Sequence, residues 1–234
     1  MISYHYFGGI FIKELKALVI SDIHIGFEES LRKSGNFLPN LQLQDLKKRL
    51  EIMFAQYTPE ELIICGDVKH DFSKNTVQEL SELKNFFSFL EQTKLKIILV
   101  EGNHDNFLST IASKHSFKVY DHYAEGKYVF VHGDKDFPLE KNKILVMGHE
   151  HPALSLKDEV GLNHSFKCFL EISTGTSKVI VLPAFSTLFP GSDIAKQNNF
   201  MSPILRKLKG KQIIPRLIDE VENVLVFPEL HKLT

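Results

Sequence analysis

The apolar residues of this chain fall into short runs that stop abruptly at polar clusters. Ala17-Leu18-Val19-Ile20, Leu62-Ile63-Ile64-Cys65 and Ile97-Ile98-Leu99-Val100 are apolar at every position and rich in β-branched side chains. Such runs predict strands buried on both faces. Between them the spacing becomes helical. Leu43, Leu46, Leu50, Met53 and Phe54 give one apolar face to a helix over 41–57, which Thr58-Pro59-Glu60 breaks. Val77, Leu80, Leu83, Phe87 and Leu90 do the same over 76–91, and 27–33 reads as a short helix or loop. Strand, helix, strand, helix, strand in that order favours right-handed crossovers. Ahead of this unit, 2–6 and 10–12 flank Phe7-Gly8-Gly9 as a hairpin.

The texture changes after residue 105. A short helix over 107–113 gives way to strands over 117–120, 122–125, 127–131, 144–147, 153–156, 166–172, 179–182 and 224–227. Leu182-Pro183-Ala184-Phe185 opens a loop that runs through Phe189-Pro190-Gly191-Ser192-Asp193. No linker, repeat or low-complexity tract interrupts the sequence, and its 234 residues suit a single domain over 1–234.

Five of the strand ends carry the chemistry. The run ending at Val100 leads into Glu101-Gly102-Asn103-His104-Asp105, placing an amide, an imidazole and a carboxylate where open α/β sheets collect their ligands. Alone, that stretch reads equally well as a polar turn. Asp22 and His24, in Ser21-Asp22-Ile23-His24, could likewise cap the next helix. The other ends carry Asp67, His132, and the pair His149 and His151. In an extended segment residues two apart face one side, which would bring Asp22 to His24 and His149 to His151. Carboxylate, imidazole and amide oxygen suit Mn, Fe(II) or Zn, and without a cysteine in the set a thiolate site is disfavoured. The ligands outnumber the needs of one tetrahedral ion. They suit two ions about 3.5–4 Å apart that share a carboxylate.

Composition narrows the setting. Lys and Arg number 28 against 29 for Asp and Glu, so a generally basic, nucleic-acid-coating surface is excluded, although a local patch is not. Cys65 and Cys168 lie in apolar runs and read as buried reduced thiols, which leads us to expect a cytoplasmic protein. No basic leader precedes the N-terminal apolar stretch, and no uninterrupted apolar span reaches membrane-crossing length.

Taken in order, Asp-x-His, Gly-Asp, Gly-Asn-His-Asp, a strand-terminal His and Gly-His-x-His resemble the calcineurin-like metallophosphoesterase superfamily over 22–151. Ser-Asp-Ile-His-Ile-Gly-Phe-Glu, Gly-Asp-Val-Lys-His and Leu-Pro-Ala-Phe resemble a narrower branch, the DNA-ligase-associated metallophosphoesterases and their archaeal relatives. The resemblance implies an α/β fold, a four-layer αββα sandwich of two mixed sheets flanked by helices. It implies two divalent ions, manganese foremost, with iron, zinc or nickel as alternatives. Asp22, His24 and His151 would hold the first and Asn103, His132 and His149 the second, with Asp67 bridging. His104 would serve catalysis beside the leaving group, with Asp105 orienting its ring. The implied reaction is phosphoester hydrolysis by a hydroxide bridging the metals. For the branch, the substrate would be a nucleic-acid or nucleotide phosphodiester, DNA or RNA ends among them.

The sequence departs from many members at His70, where they carry an acidic residue; a substrate contact and a surface or capping role are both open. A non-catalytic interaction scaffold, as in retromer-type relatives, is the alternative function, and such relatives tend to lose ligands that this chain keeps. A mononuclear zinc hydrolase leaves Asn103 and the second ligand set unexplained. No P-loop is present. Arg206-Lys207-Leu208-Lys209-Gly210-Lys211, and Arg32 with Lys33, are candidate phosphate contacts; short lysine-rich runs are more often solvated loops or helix ends. His5, His115, His122, His164 and His231 read as surface or packing residues. The expected partner is a phosphoester substrate and not a membrane, and self-association is left open.

Overall fold

The computed structural model describes residues 1–36, 39, 41–72, 76–196, 200–208, 211–219 and 221–233. Its layering follows from how each apolar run divides its side chains. β1 (Ile2–Tyr4), β2 (Ile10–Ile12), β3 (Ala17–Ile20), β4 (Glu61–Cys65), β5 (Lys96–Val100) and β6 (Lys118–Tyr120) form one sheet in that order. β1, β2 and β3 pair antiparallel, and β3 to β6 pair parallel. Leu18, Leu62 and Ile97 stand in register, as do Ile20, Ile64 and Leu99. Both rows point outward into a core shared with α2 (Gln42–Tyr57), α3 (Val77–Thr93) and α4 (Leu108–Ala112). The intervening residues Ala17, Val19, Ile63, Cys65, Ile98 and Val100 point the other way, into a second core. That is why the runs 17–20, 62–65 and 97–100 are apolar at every position: each side chain has a hydrophobic layer to enter. α1 (Phe27–Lys33) follows β3.

The second sheet is built from β7 (Tyr123–Glu125), β8 (Tyr128–Val131), β9 (Ile144–Met147), β10 (Pro152–Lys157), β11 (Asn163–Thr174), β12 (Ser177–Val181), β13 (Ser192–Asp193), β14 (Gln212–Ile218) and β15 (Val224–Val226). Its order is β13-β10-β11-β12-β9-β8-β7, with β14 joining β11 and β15 joining β14. β8, β9 and β12 run parallel, while β7 and β11 are antiparallel to their neighbours. Tyr128, Phe130, Val146, Phe169 and Ile180 meet the first sheet in the shared core. Val129, Leu145, Met147, Leu170 and Val179 face outward toward Ile204 and Leu205 of α5 (Pro203–Lys207). The four-layer αββα sandwich is therefore the observed fold. Its second outer layer is thin, with α5 supplemented by loop residues such as Phe137 and Leu139.

β14 and α5 are not announced by the apolar pattern, nor is the two-residue β13. β14 carries Pro215, and a proline argues against an internal strand. The Pro215 carbonyl accepts from Phe227 N, just past the last paired residues of β15, so the missing N–H falls at the end of that ladder. α5 has only five residues, too few to show helical periodicity. No helix among the described residues is long and apolar enough to cross a membrane.

Candidate metal centre

Three of the ligand-bearing loops begin with a glycine, and the structure shows why. A Cβ on Gly66 would sit 2.2 Å from His132 Nδ1, one on Gly102 2.2 Å from Asp67 Oδ1, and one on Gly148 2.4 Å from Asp22 Oδ2. Each glycine after a strand thus makes room for a ligand delivered by another strand. The loops themselves are not extended, which corrects the expectation from alternation. Asp22, His24, Asp67, His149 and His151 have φ of 53°, 45°, 48°, 67° and 45°. Left-handed backbone at a non-glycine residue costs about 1–3 kcal/mol and persists only where the surroundings impose it. Here they do: Asp22 N donates to Gly66 O (3.1 Å), His24 N to Asp67 O (2.9 Å) and Gly148 N to His132 O (3.0 Å). His149 N donates to the Asp22 carboxylate at 3.1–3.2 Å.

These turns bring the candidate ligands together in two overlapping sets. Donor atoms of Asp22, His24, Asp67 and His151 all lie within 4.8 Å of one another. His151 Nε2 is 3.3 Å from Asp22 Oδ1 and 3.4 Å from His24 Nε2, and His24 Nε2 is 3.7 Å from Asp67 Oδ2. In the second set His132 Nε2 lies 2.9 Å from Asn103 Oδ1, 3.1 Å from His149 Nδ1 and 3.4 Å from Asp67 Oδ2. Asp67 Oδ2 belongs to both.

The residues fit divalent cations. Ligand atoms about 2.1 Å from one ion stand roughly 3.0–3.4 Å from each other, close to the spacings found here. Asp22, His24, Asp67 and His132 are buried. Burial raises Asp67 to about 7, and the charge of Asp22 adds to the shift. Asp22 is held below the usual carboxylate range: burial opposes its charge, but His151, His132 and His24 outweigh that. Burial keeps His24 well below the ordinary imidazole value and pushes His149 down to about 4, with His132 adding to the latter. Neutral imidazoles are the form that binds a metal.

His104 sits beside this cluster. Its backbone N donates to Asp67 Oδ1 (3.0 Å), and its ring Nδ1 is 2.5 Å from the His70 carbonyl. A carbonyl can only accept, so Nδ1 carries the proton and Nε2 is left for the site. The expectation that Asp105 orients this ring is therefore corrected. The Asp105 carboxylate accepts from Val68 N (2.8 Å), Lys69 N (3.2 Å) and Gly102 N (2.9 Å), tying the loops after β4 and β5 together. It is fully buried, and burial followed by the nearby Asp67 raises it to about 7. A cavity of about 420 Å³ opens over His24, Asp67, His104 and His151. Phe189, Pro190 and Ser192, from the loop that follows Leu182, form part of its wall.

The family model for calcineurin-like phosphoesterases matches residues 15–211. The chain belongs to that family. It is thus a metal-dependent hydrolase, and the fold and clustered ligands agree. Among solved structures, the nuclease MPE of Pseudomonas putida shares the fold with a TM-score of 0.65, at 19% identity over 97% of this chain and 99% of the other. The phosphoesterase Yfce of E. coli matches with a TM-score of 0.44, at 18% identity over 87% of this chain and 88% of the other. No curated protein matches the chain.

Several residues of this calcineurin-like phosphoesterase escape a reading by motif. His70 lines the cavity, and His24, His70 and His104 bring ring nitrogens within 4.8 Å of one another. Burial, then His104, pushes His70 down to about 4. Glu79, in the first turn of α3, accepts from His70 N and Asp71 N at 3.2 and 2.8 Å and so fixes the loop after β4. Glu150, between the candidate ligands His149 and His151, accepts from Met201 N (3.1 Å) and Ser202 N (3.0 Å), anchoring that segment at the cavity wall. A buried glutamate inside Gly-His-x-His was the available signal.

Arg206, Lys207 and Lys33 are engaged elsewhere. Arg206 donates to Phe200 O (2.9 Å) and Met201 O (2.6 Å), Lys207 pairs with Asp136 (2.5 Å), and Lys209 and Gly210 lie outside the described residues. Lys33 pairs with Glu29 at 2.9 Å. His115, His122, His164 and His231 pair with local carboxylates, and His5 is buried against Gln56. Cys65 and Cys168 are free and buried.

Proposed function

We propose that this phosphoesterase works with two divalent cations, manganese foremost, and hydrolyses phosphodiesters of nucleic acids or nucleotides. The observation that carries the dinuclear reading is the sharing of Asp67 Oδ2 between the two donor sets. Asp22, His24 and His151 would hold the first cation and Asn103, His132 and His149 the second. When bound, such a pair neutralises phosphoryl oxygens and supplies an acidified water as nucleophile. The protein's own part is to fix the phosphorus and manage the leaving group. With Nδ1–H held by the His70 carbonyl, Nε2 is the nitrogen left for the site, and the protonated His104 ring would give its Nε2 proton to the departing oxygen and return to the neutral Nδ1–H form, a general-acid role.

Support for a nucleic-acid substrate comes from the strings around Asp22, Asp67 and Leu182 and from the fold neighbour named as a nuclease. The buried thiols support a cytoplasmic setting. The test is a panel with added Mn: aryl phosphomonoester, aryl phosphodiester, cyclic nucleotide, single- and double-stranded DNA, and RNA. Turnover of diesters with little of the monoester supports the proposal. A protein that binds two ions yet turns over nothing would favour the scaffold alternative.

A further inference from the structure

The Leu182-Pro183-Ala184-Phe185 string has no part in the ligand sets, yet it lies against them. Phe185 N donates to Ser21 O (2.9 Å) and Ser186 N to Asp22 O (3.3 Å), so two successive amides grip the backbone at a ligand. The three successive carbonyls of the same stretch are taken by two cations from elsewhere. Lys167, on β11, donates its ammonium to Ala184 O (2.8 Å) and to Ser186 O. Arg49, on α2, donates to Phe185 O (3.3 Å). Gln42 closes the circuit, reaching Ser186 Oγ (3.2 Å), Ile23 O (3.1 Å) and His24 O (2.9 Å).

Holding two cations this close is costly. Burial and the charge of Arg49 push Lys167 down to about 7, and burial lowers Arg49 as well, although Asp45 pairs with it at 3.1 Å. Groups kept in so unfavourable a place need a compensating task. The ligand strand supplies one. Asp22 and His24 both hold left-handed backbone, which persists only where the surrounding structure imposes it. The loop after β4 covers one flank through Gly66 and Asp67, and the 184–186 stretch covers the other.

We propose that Lys167 and Arg49 are positioning residues for the first cation: by fixing the carbonyls of 184–186 they hold the loop that keeps Asp22 and His24 in ligating geometry. The inference rests on the assignment of Asp22, His24 and His151 to one ion. Neither cation reaches a ligand side chain. A metal centre expected to depend on carboxylates and imidazoles thus depends also on a lysine and an arginine behind it.

Calorimetric Mn titration of Lys167→Met, Lys167→Arg and Arg49→Met tests this. Each is made in the intact chain and again with Asn103→Ala, which disables the second donor set. Lys167→Met and Arg49→Met should weaken the first ion at least 10-fold and leave the second within 2-fold, while Lys167→Arg restores most of the loss. Equal weakening of both ions, no weakening, or equal effects of Met and Arg at 167 overturns the proposal. If wild-type protein binds fewer than two ions, the dinuclear reading fails instead, and the Asn103→Ala series still decides the role of Lys167. Should the Met variants not fold, linkage supplies the second test, because coupling between sites is reciprocal. In the Asn103→Ala protein, loading Mn should slow amide exchange at Phe185 and Ser186; unchanged exchange there overturns the proposal.

Discussion

Gly102→Ala is the cleanest probe of the proposal that Asp67 is shared by two cations. Gly102 does not hold left-handed backbone, so alanine suits the chain there, and the only obstacle is space. The new Cβ would lie 2.2 Å from Asp67 Oδ1 and 2.3 Å from Asp67 N. Ordinary contacts of this kind are about 3.3–3.5 Å, so Asp67 or the strand end at Gly102 must retreat by about 1 Å. Because the obstacle includes a backbone amide at the end of β4, rotation of a side chain cannot absorb the shift. Overpacking of this kind costs about 1–3 kcal/mol in stability. The larger effect is on metal, since ligand distances tolerate only about 0.2 Å. Gly102→Ala should therefore fold with a lowered Tm and lose both ions on dialysis. Gly148→Ala, whose Cβ would lie 2.4 Å from Asp22 Oδ2, should weaken the first more than the second. Metal analysis together with calorimetric Mn titration separates the two. If Gly102→Ala retains two ions at wild-type affinity, Asp67 is not the shared ligand.

Asp67→Asn should lower the affinity for both cations by removing the charge between them, and a variant that loses only one would contradict the bridge. His104→Gln should keep its metal but lose about 10²–10⁴-fold in rate on substrates that leave as sugar alkoxides, and far less on nitrophenyl esters; loss of metal, or equal slowing on both, removes His104 from the acid role. Affinity for Mn should rise from about pH 5 to pH 8 and then level off. Asp67 is raised to about 7 by burial and by Asp22, and His151 is raised because Asp22 outweighs its burial, so both bind protons that a cation must displace at low pH. His24 and His149, already lowered by burial, add little to that slope; a flat affinity across the range would refute this. Chelation should lower the Tm, since an ion at 100 times its Kd contributes about 2.7 kcal/mol to the folded state, and an unchanged melt after metal removal would contradict it.

How much of this was legible in the sequence depended on whether the signal was local. β3, β4 and β5 could be read because, past the first residues Glu61 and Lys96 of the latter two, each side chain enters a hydrophobic layer, leaving no polar position to blur the run. The Gly-Asp, Gly-Asn and Gly-His pairs could be read because a ligand from another strand fills the space a Cβ would need. The left-handed turns at Asp22 and His24 could not, since Asp and His tolerate that backbone better than most residues but seldom adopt it, and the bonds imposing it come from Gly66 and Asp67. The partner of the His104 ring was missed for a similar reason. It is a main-chain carbonyl, and every residue has one, so Asp105 looked like the natural candidate while its carboxylate was bonded to three amides. β14 was hidden by Pro215, whose cost is avoided only because β15 ends beside it.

The same facts bear on why the centre and the fold depend on each other. Five candidate ligands sit in left-handed backbone, and at about 1–3 kcal/mol each that strain rivals the net stability of an ordinary domain. Two carboxylates, Asp22 and Asp67, are buried in the same cluster, and the second is driven toward its neutral form by burial and by the first. Nothing in the apolar cores offsets these terms directly, because the strain lies in loops beyond the strand ends. Two contributions can offset it there. One is the lattice of hydrogen bonds made by the backbone of Gly66, Asp67 and Ser186 and by the Asp105 carboxylate. The other is a divalent cation, which removes the repulsion between the carboxylates and uses the turns for ligation. A variant that weakens the lattice should then be tolerated with Mn present and fail without it. Asp105→Asn, which keeps an acceptor oxygen but replaces the other with an amide group facing amides, should melt much lower than wild type after chelation and approach it when Mn is restored. An equal gap in both conditions would show that the lattice supports the strands and not the metal loops.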